Sequence, residues 1–367
     1  MTAQVIVIPG EHIGPEVTAE GLKVLDWIIA RRGFDCRYRE ESFGMRSLAE
    51  HGVLLRDQLL QACMQADAVL FGATGGPEYD ALPPETRRQG SLLRIRKELE
   101  VFANLRPIKG HPALSDFTPL KPEVANQVDM IILRELNGGI YFGERGTQSI
   151  DGNVERAFDT EVYTTPEIER IARVGFELAR ARRGKLCSVD KSNVLDTGQL
   201  WRKVVSRVHR EEFADVELEH LIVDNCAMQI IKNPHRFDVL VMANMFGDIL
   251  SDCAGAISGT LGMLPSASLS AADENGRRRA LYEPIHGCAQ DISGRAIANP
   301  CGSILRVAMM LEHSFGRAAD ARLIEDAVEQ VLARGIRTPD IAPEGVTPVT
   351  TAELGDAVVA ALEERQR

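Results

Sequence analysis

VIVIPGEHIGPEV, residues 5–17, opens with a short apolar run, VIVIP (5–9), of strand length and strand composition. After a loop bounded by glycines, Val17, Val24, Leu25, Ile28 and Ile29 recur at helical spacing across 15–31. The alternation continues outward from there. AVLFG (68–72), VDMIILREL (128–136), KLCSVD (185–190), VELEHLIVD (216–224) and DVLVM (238–242) read as strands. Thr165, Pro166 and Glu167 mark a helix start, with proline where its missing N–H costs nothing. Near-continuous apolar strands call for a sheet covered on both faces, so the pattern is α/β. The last third turns helical, with apolar stripes over 302–315, 320–334 and 351–365. If these helices pack back on the early strands, the first domain is discontinuous. Charged or proline-rich connections fall at 79–90 and 107–123, and no repeat or low-complexity tract stands out.

A chain of 367 residues with 44% hydrophobic content buries a large core, as two domains or one large α/β unit. Its net charge of -11 argues against nucleic acid or an anionic membrane as the main partner. No apolar stretch approaches the length of a membrane span, and the chain enters its first strand without a charged leader. Seven cysteines, odd in number and with no C-x-x-C pair, point to reduced thiols in a cytoplasmic protein.

Chemistry concentrates in a few stretches. NMFGDILSD (244–252) reads as helix and sets Asp248 and Asp252 four apart, on one face. Two carboxylates suit a hard divalent cation, which keeps its other positions for water and substrate. Taken alone, the pair is more often a solvated acidic face. In LLRIRKELEVFANLRP (92–107), Leu92 and Leu93 share a helical face with Arg96, and Arg106 ends the next extended run. Arg134 closes the strand at 128–136. Each arginine alone reads as an ion-pair partner, but three forked guanidiniums suit a dicarboxylate.

LRIRKELEVFANLRP, RELNGGIYFGER, SVDKSNVL, NMFGDILSDCAGAISGTLGMLPSASL and EPIHGCAQDISGRAIANP occur in an order that resembles the β-decarboxylating dehydrogenases, the isocitrate/isopropylmalate dehydrogenase family. The likeness runs from VIVIPGEHIGPEV to MMLEHSFG and so covers most of the chain. It implies an isopropylmalate dehydrogenase-like, two-domain mixed sheet with flanking helices, and not a Rossmann fold. No G-x-G-x-x-G is present. The implied domains are a discontinuous cofactor-binding domain, 1–105 with 259–367, and a substrate, metal and dimerisation domain at 106–258.

By this resemblance Arg96, Arg106 and Arg134 hold the malate carboxylates, and Asp248, Asp252 and Asp224 hold Mg2+ or Mn2+. Asp224 and Lys191 reach across from a second subunit, so a homodimer with shared active sites is expected. Oxidation of a secondary alcohol needs a base and a Lewis acid, and decarboxylation leaves an enolate needing a proton. Lys191 matches the family's base and Tyr141, in GGIYFGE, its proton donor. The NAD loop is matched by Glu283, His286, Gly287, Ala289 and Asp291, with Asn299 further on. Asp291 followed by the apolar Ile292 favours NAD over NADP, because an acid accepts from ribose hydroxyls and repels a 2'-phosphate.

The chain departs from the usual pattern at Glu11 and His12, where an aspartate and a glycine are more common, and at Cys288 and Gln290 in the NAD loop. A glycine lost from the first loop restricts φ. Gln89 stands near a position where some relatives carry a glutamate beside the nicotinamide. Leu92, Leu93 and Val194 form an apolar patch for an isopropyl group, whereas isocitrate's extra carboxylate there costs several kcal/mol unpaired. The expected substrate is therefore 3-isopropylmalate, oxidised to 4-methyl-2-oxopentanoate and CO2 in leucine biosynthesis. D-malate or tartrate is the alternative, because a missing methylene costs only about 1–3 kcal/mol. A noncatalytic subunit that keeps the fold is the reading from another class, supported only by the departures at Glu11, His12 and Gln290. A dehydrogenase for phosphorylated substrates would want histidine metal ligands where aspartates stand.

Overall fold

The computed structural model describes Thr2–Gln366. The chain begins with β1 (Ala3–Gly10), α1 (Gly14–Arg32), β2 (Cys36–Glu40), α2 (Gly44–His51), α3 (Asp57–Gln65), β3 (Ala68–Ala73), α4 (Pro77–Asp80), α5 (Pro84–Gln89) and α6 (Leu92–Glu98). Its middle holds β4 (Ala103–Lys109), α7 (Pro122–Ala125), β5 (Asp129–Glu135), β6 (Arg145–Asp151), β7 (Val154–Asp159) and α8 (Thr165–Ala181). These are followed by β8 (Lys185–Asp190), α9 (Asp196–Glu212), β9 (Glu217–Ile222), α10 (Val223–Lys232), β10 (Val239–Met242) and α11 (Asn244–Gly255). It ends with β11 (Pro265–Leu269), β12 (Ala280–Pro284), α12 (Cys301–Phe315), α13 (Ala318–Ala333) and α14 (Thr351–Gln366).

The chain divides into two compact units. The first holds residues up to Val101, Lys109–Asn126 and the chain from Gly255 onward; the second holds Phe102–Ile108 and Gln127–Ala254. In the first unit the strands lie in the order β2-β1-β3-β12-β11. β1 is parallel to β2 and β3, β12 is parallel to β3, and β11 is antiparallel to β12, so the sheet is mixed. Val5, Val7 and Ile8 of β1 are almost wholly buried because both faces are covered. Ile6 and Ile8 join Phe43, Leu59, Phe71, Ile95 and Leu99 in one apolar cluster. α1 packs against α12 and α14. A Cβ at Gly21 would lie 2.8 Å from the Ser303 carbonyl oxygen, so glycine lets α1 and α12 approach this closely.

The second unit carries β4-β5-β10-β8-β9, with β10 parallel to β5 and β8, and β8 parallel to β9. α8 starts as its sequence dictates: Thr164 and Glu167 form a reciprocal capping box, with proline in the first turn. β6 and β7 form a separate antiparallel hairpin.

The expected second domain ran unbroken from 106 to 258, whereas Lys109–Asn126 clusters with the first unit. The cause is ionic and polar anchoring to that unit. Lys109 Nζ lies 2.8 Å from Glu325 and His111 Nδ1 lies 2.5 Å from Glu329, both on α13, and Arg337 donates to the Ala113 carbonyl at 2.5 Å. The connections at 79–90 and 107–123 contain the short helices α4, α5 and α7. Among the described residues no helix is long and apolar enough to cross a membrane, and all seven cysteines are free thiols.

Candidate active site

α11 lies directly on the end of β5 in the second unit. A Cβ at Gly247 would fall 2.6 Å from Arg134 Cβ and Cγ, so the glycine in NMFGDILSD is what admits this contact. Arg134, whose side chain is 3% exposed, pairs with Asp248. Its Nε donates to Asn244 Oδ1 at 2.9 Å. Arg106 is buried as well. Its Nε donates to Asn104 Oδ1 (2.8 Å), its Nη1 to Ser251 Oγ (2.6 Å) and Asp252 Oδ1 (3.3 Å), and its Nη2 lies 3.5 Å from Asp248 Oδ1. The Tyr141 hydroxyl donates to Asp248 Oδ2 at 2.9 Å, and the Arg134 guanidinium lies 5.7 Å from the Tyr141 ring centroid. Arg106, Arg134, Tyr141, Asp248 and Asp252, far apart in sequence, thus share one network.

The electrostatics follow from this crowding. Burial pushes the Asp252 carboxyl up, Asp248 adds to the rise, and Arg106 opposes it. Burial, then the Asp248 charge, pushes the Tyr141 phenol up, so it stays protonated at neutral pH. Two carboxylates one turn apart, an all-oxygen donor set, fit a hard divalent cation that keeps several positions for water and substrate. Among the described residues of one chain, no three His, Cys, Asp or Glu gather to hold a metal.

Asp224 is placed elsewhere. It stands in the first turn of α10 with its side chain 67% exposed, and its carboxylate accepts from Lys191 Nζ at 2.5 Å. The Lys191 ammonium holds that carboxyl below its usual range. The metal set expected from the sequence is therefore not complete within a single chain. Val194, three residues beyond Lys191, is exposed.

The remaining expected residues belong to the first unit. Arg96 of α6 pairs with Glu283, and both side chains are nearly buried. Leu92 and Leu93 are half-buried, Leu92 against the apolar cluster. Glu283 had been expected in the loop at 283–294 but lies within β12, where its carboxylate is engaged by Arg96. Beyond it, His286 Nδ1 contacts the Gly287 carbonyl at 2.9 Å, while its Nε2 is buried with no partner among the described residues. Burial lowers the pKa of that imidazole. A Cβ at Gly287 would meet nothing, Ala289 adopts φ 40°, and Asp291 is exposed. An orphaned ring nitrogen, open backbone and an exposed acid fit the adenosine end of a dinucleotide. Asn299 is buried, accepting from Cys301 N–H at 3.0 Å and donating to Asp340 at 3.1 Å, so it ties the loop to the start of α12.

The departures have visible consequences. His12 takes φ 54°, a left-handed conformation costing a non-glycine residue about 1–2 kcal/mol. Glu11 uses its longer side chain to accept from Met45 N–H (2.5 Å), Gly75 N–H (2.8 Å) and Thr74 Oγ1 (3.1 Å), tying its own loop to the start of α2 and to the loop after β3. The Cys288 carbonyl accepts from Ile13 N–H at 3.2 Å, Gln290 is exposed, and Gln89 donates to Glu85 at 3.0 Å.

Sequence reasoning passed over Asn104, Ser251 and Asn244. Strand period places Asn104 on the face of Arg106, and helix period places Ser251 beside Asp248, so those two left a signal. Helix period also sets Asn244 one turn before Asp248, but nothing in sequence announced its role, because its side-chain partners Arg134, Leu136 and Gly138 lie more than a hundred residues away.

A family model described as isocitrate/isopropylmalate dehydrogenase matches residues 4–358. The chain is 53% identical over 363 residues to 3-isopropylmalate dehydrogenase 1 of Bradyrhizobium diazoefficiens, covering 99% of this chain and 96% of that relative. It is 50% identical over 361 residues to 3-isopropylmalate dehydrogenase of Gluconobacter oxydans, covering 98% of each. Among solved structures, isocitrate dehydrogenase from Methylococcus capsulatus matches with a TM-score of 0.86 at 33% identity, over 98% of this chain and 99% of that one. An α/β mixed sheet with this acidic helix and its buried arginines therefore has a home: the chain belongs to the isocitrate/isopropylmalate dehydrogenase family. It is a β-decarboxylating dehydrogenase.

Proposed function

We propose that this enzyme converts (2R,3S)-3-isopropylmalate to 4-methyl-2-oxopentanoate and CO2 in leucine biosynthesis. In this reading it uses NAD, carries Mg2+ or Mn2+ at Asp248 and Asp252, and works in the cytoplasm as a homodimer. The observation that carries the reading is the network in which Arg106 and Arg134 converge on Asp248 and Asp252 with the Tyr141 hydroxyl among them.

Arg106 and Arg134, with Arg96, grip the substrate carboxylates through forked donors that a lysine lacks. Lys191, once its ammonium has released Asp224 and given a proton to solvent, takes the proton of the secondary hydroxyl. When bound, a divalent cation held by Asp248 and Asp252 would supply Lewis acidity, and NAD would supply a hydride acceptor. Tyr141, kept protonated by burial and by Asp248, gives its proton to the carbon that has lost CO2. His286, Gly287, Ala289, Asp291 and Asn299 seat the cofactor, and Asp291 favours the 2'-hydroxyl of NAD. Glu283 supports the substrate side by holding Arg96.

A second copy of the chain supports this reading in two ways. It would bring Asp224 and Lys191 to the acidic helix, and it would cover Met228 and Ile231 on α10 and Ile249 on α11, which stand exposed. The apolar Leu92, Leu93 and Val194 suit an isopropyl group and leave isocitrate's third carboxylate unpaired. The test is NADH formation with Mn2+ and 3-isopropylmalate, D-malate, tartrate or isocitrate side by side. The highest kcat/KM belongs to 3-isopropylmalate, and a higher value for isocitrate refutes the assignment.

A further inference from the structure

Asn244 is 1% exposed, and its amide is fully used. Oδ1 accepts from Arg134 Nε at 2.9 Å, and Nδ2 donates to the carbonyls of Leu136 (3.0 Å) and Gly138 (2.9 Å). Its backbone N–H donates separately to the Tyr163 hydroxyl at 2.8 Å. From the other side, Glu135 accepts from the N–H groups of Asn137 (3.3 Å) and Gly138 (2.7 Å). The turn at 136–138 belongs to no strand or helix; its Leu136 N–H donates to the Phe102 carbonyl at 2.7 Å, and the Asn244 and Glu135 side chains serve the Leu136 and Gly138 carbonyls and the Asn137 and Gly138 N–H groups. That turn leads into the short helical turn Gly139–Tyr141. Gly139, at φ 74°, lies against Tyr163, where a Cβ would sit 2.6 Å from the hydroxyl. Asn244 also begins α11, one turn before Asp248. A single amide therefore joins the buried guanidinium, the tyrosine turn and the acidic helix.

We propose that Asn244 is a positioning residue of the reaction, holding the Tyr141 turn in register with Arg134 and the helix that bears Asp248. The inference rests on the roles proposed for Tyr141 and Arg134. Asn244→Asp is the diagnostic change, because the side chain keeps its shape and its acceptor for Arg134. It loses both donors and sets a carboxylate oxygen against two carbonyls, so the turn is released while the guanidinium is still held. The bond from its backbone N–H to Tyr163 is untouched.

The experiment is a double-mutant cycle on kcat with Tyr141→Phe, with KM for 3-isopropylmalate and the urea midpoint followed in parallel. Alone, Asn244→Asp lowers kcat by about ten- to a hundredfold, the scale of a misplacement of about an ångström. On the Tyr141→Phe background it lowers kcat by less than about threefold, because the group it aims is gone. Losses that multiply overturn the inference and leave the role of Tyr141 standing. An unchanged kcat in Asn244→Asp also overturns it. An unchanged kcat in Tyr141→Phe overturns the reading of Tyr141 and this inference with it. If Asn244→Asp does not fold, Asn244→Ser, which adds no charge and loses the reach to both carbonyls, runs through the same cycle with the same outcomes.

Discussion

Replacing Arg134 with lysine keeps the charge and removes the fork. The guanidinium serves Asn244 through Nε and Asp248 through Nη1, in a site where it is 3% exposed. A lysine offers one nitrogen and reaches one of these partners, not both. Asn244 Oδ1 is then buried without a donor, at a cost of about 1–3 kcal/mol in stability. The substrate carboxylate loses one prong of a charge-assisted pair, worth about 1.5–3 kcal/mol. At 1.4 kcal/mol per factor of ten, that is about a ten- to hundredfold loss in kcat/KM, carried mainly by KM. NADH formation against 3-isopropylmalate concentration measures the second effect, and urea unfolding measures the first. A lower urea midpoint with KM unchanged would keep the Asn244 contact and remove Arg134 from the substrate. A variant unchanged in both would refute the clamp altogether.

Asp252→Asn leaves one carboxylate on α11 and is expected to raise the Mn2+ concentration for half-maximal activity by about a hundredfold or more, beyond the cost of losing a supporting contact. An unchanged Mn2+ titration would place the metal elsewhere. At a Mn2+ level that just saturates the unaltered protein, where Lys191→Ala and Asp252→Asn are each nearly inactive alone, the two are expected to regain about a quarter of normal activity when refolded together, since half of the dimers are hybrids with one intact site of two. Lys191→Ala with Asp224→Ala regains nothing by the same geometry, and no recovery in the first mixture would refute shared sites. Burial raises the Glu135 carboxyl to about 7, against the pull of Arg170. Through the window from 4.5 to about 7 the folded chain holds a proton that the unfolded chain has lost, so stability falls with rising pH by about 3 kcal/mol and is flat above. Glu135→Gln abolishes this slope. Unfolding free energies of the two proteins that differ by a constant across that window would refute the raised pKa.

What the sequence made legible follows from what burial demands. β1, β3, β8 and β10 are covered on both faces, and their apolar runs announced them at 5–9, 68–72, 185–190 and 238–242. β2, CRYRE, buries one residue and sits at the edge of the first unit's strands, so no apolar pattern was required of it. The β6–β7 hairpin is almost wholly exposed, and its one cue was the Asp151-Gly152 turn, where Gly152 takes φ 45°. β11, PSASL, is wholly buried yet polar in composition, because Ser266 Oγ donates to the Glu283 carbonyl and so satisfies itself inside.

The candidate site divides along a similar line. Arg106, Arg134, Asp248 and Asp252 were legible because charge is a property of the residue type, and the two buried guanidiniums must find acidic partners. Asn244 was not, because an amide is neutral and its importance lies wholly in which groups the fold brings to it. The charged groups proposed to meet the substrate can be read from one dimension, while which neutral groups aim them is decided only in three. If that division is general to this site, Asn104 and Ser251, the neutral partners of Arg106, aim that guanidinium as Asn244 aims the turn. The loss from Ser251→Ala should then vanish in a chain already lacking Arg106, and a loss that persists there would confine Ser251 to the stability of α11.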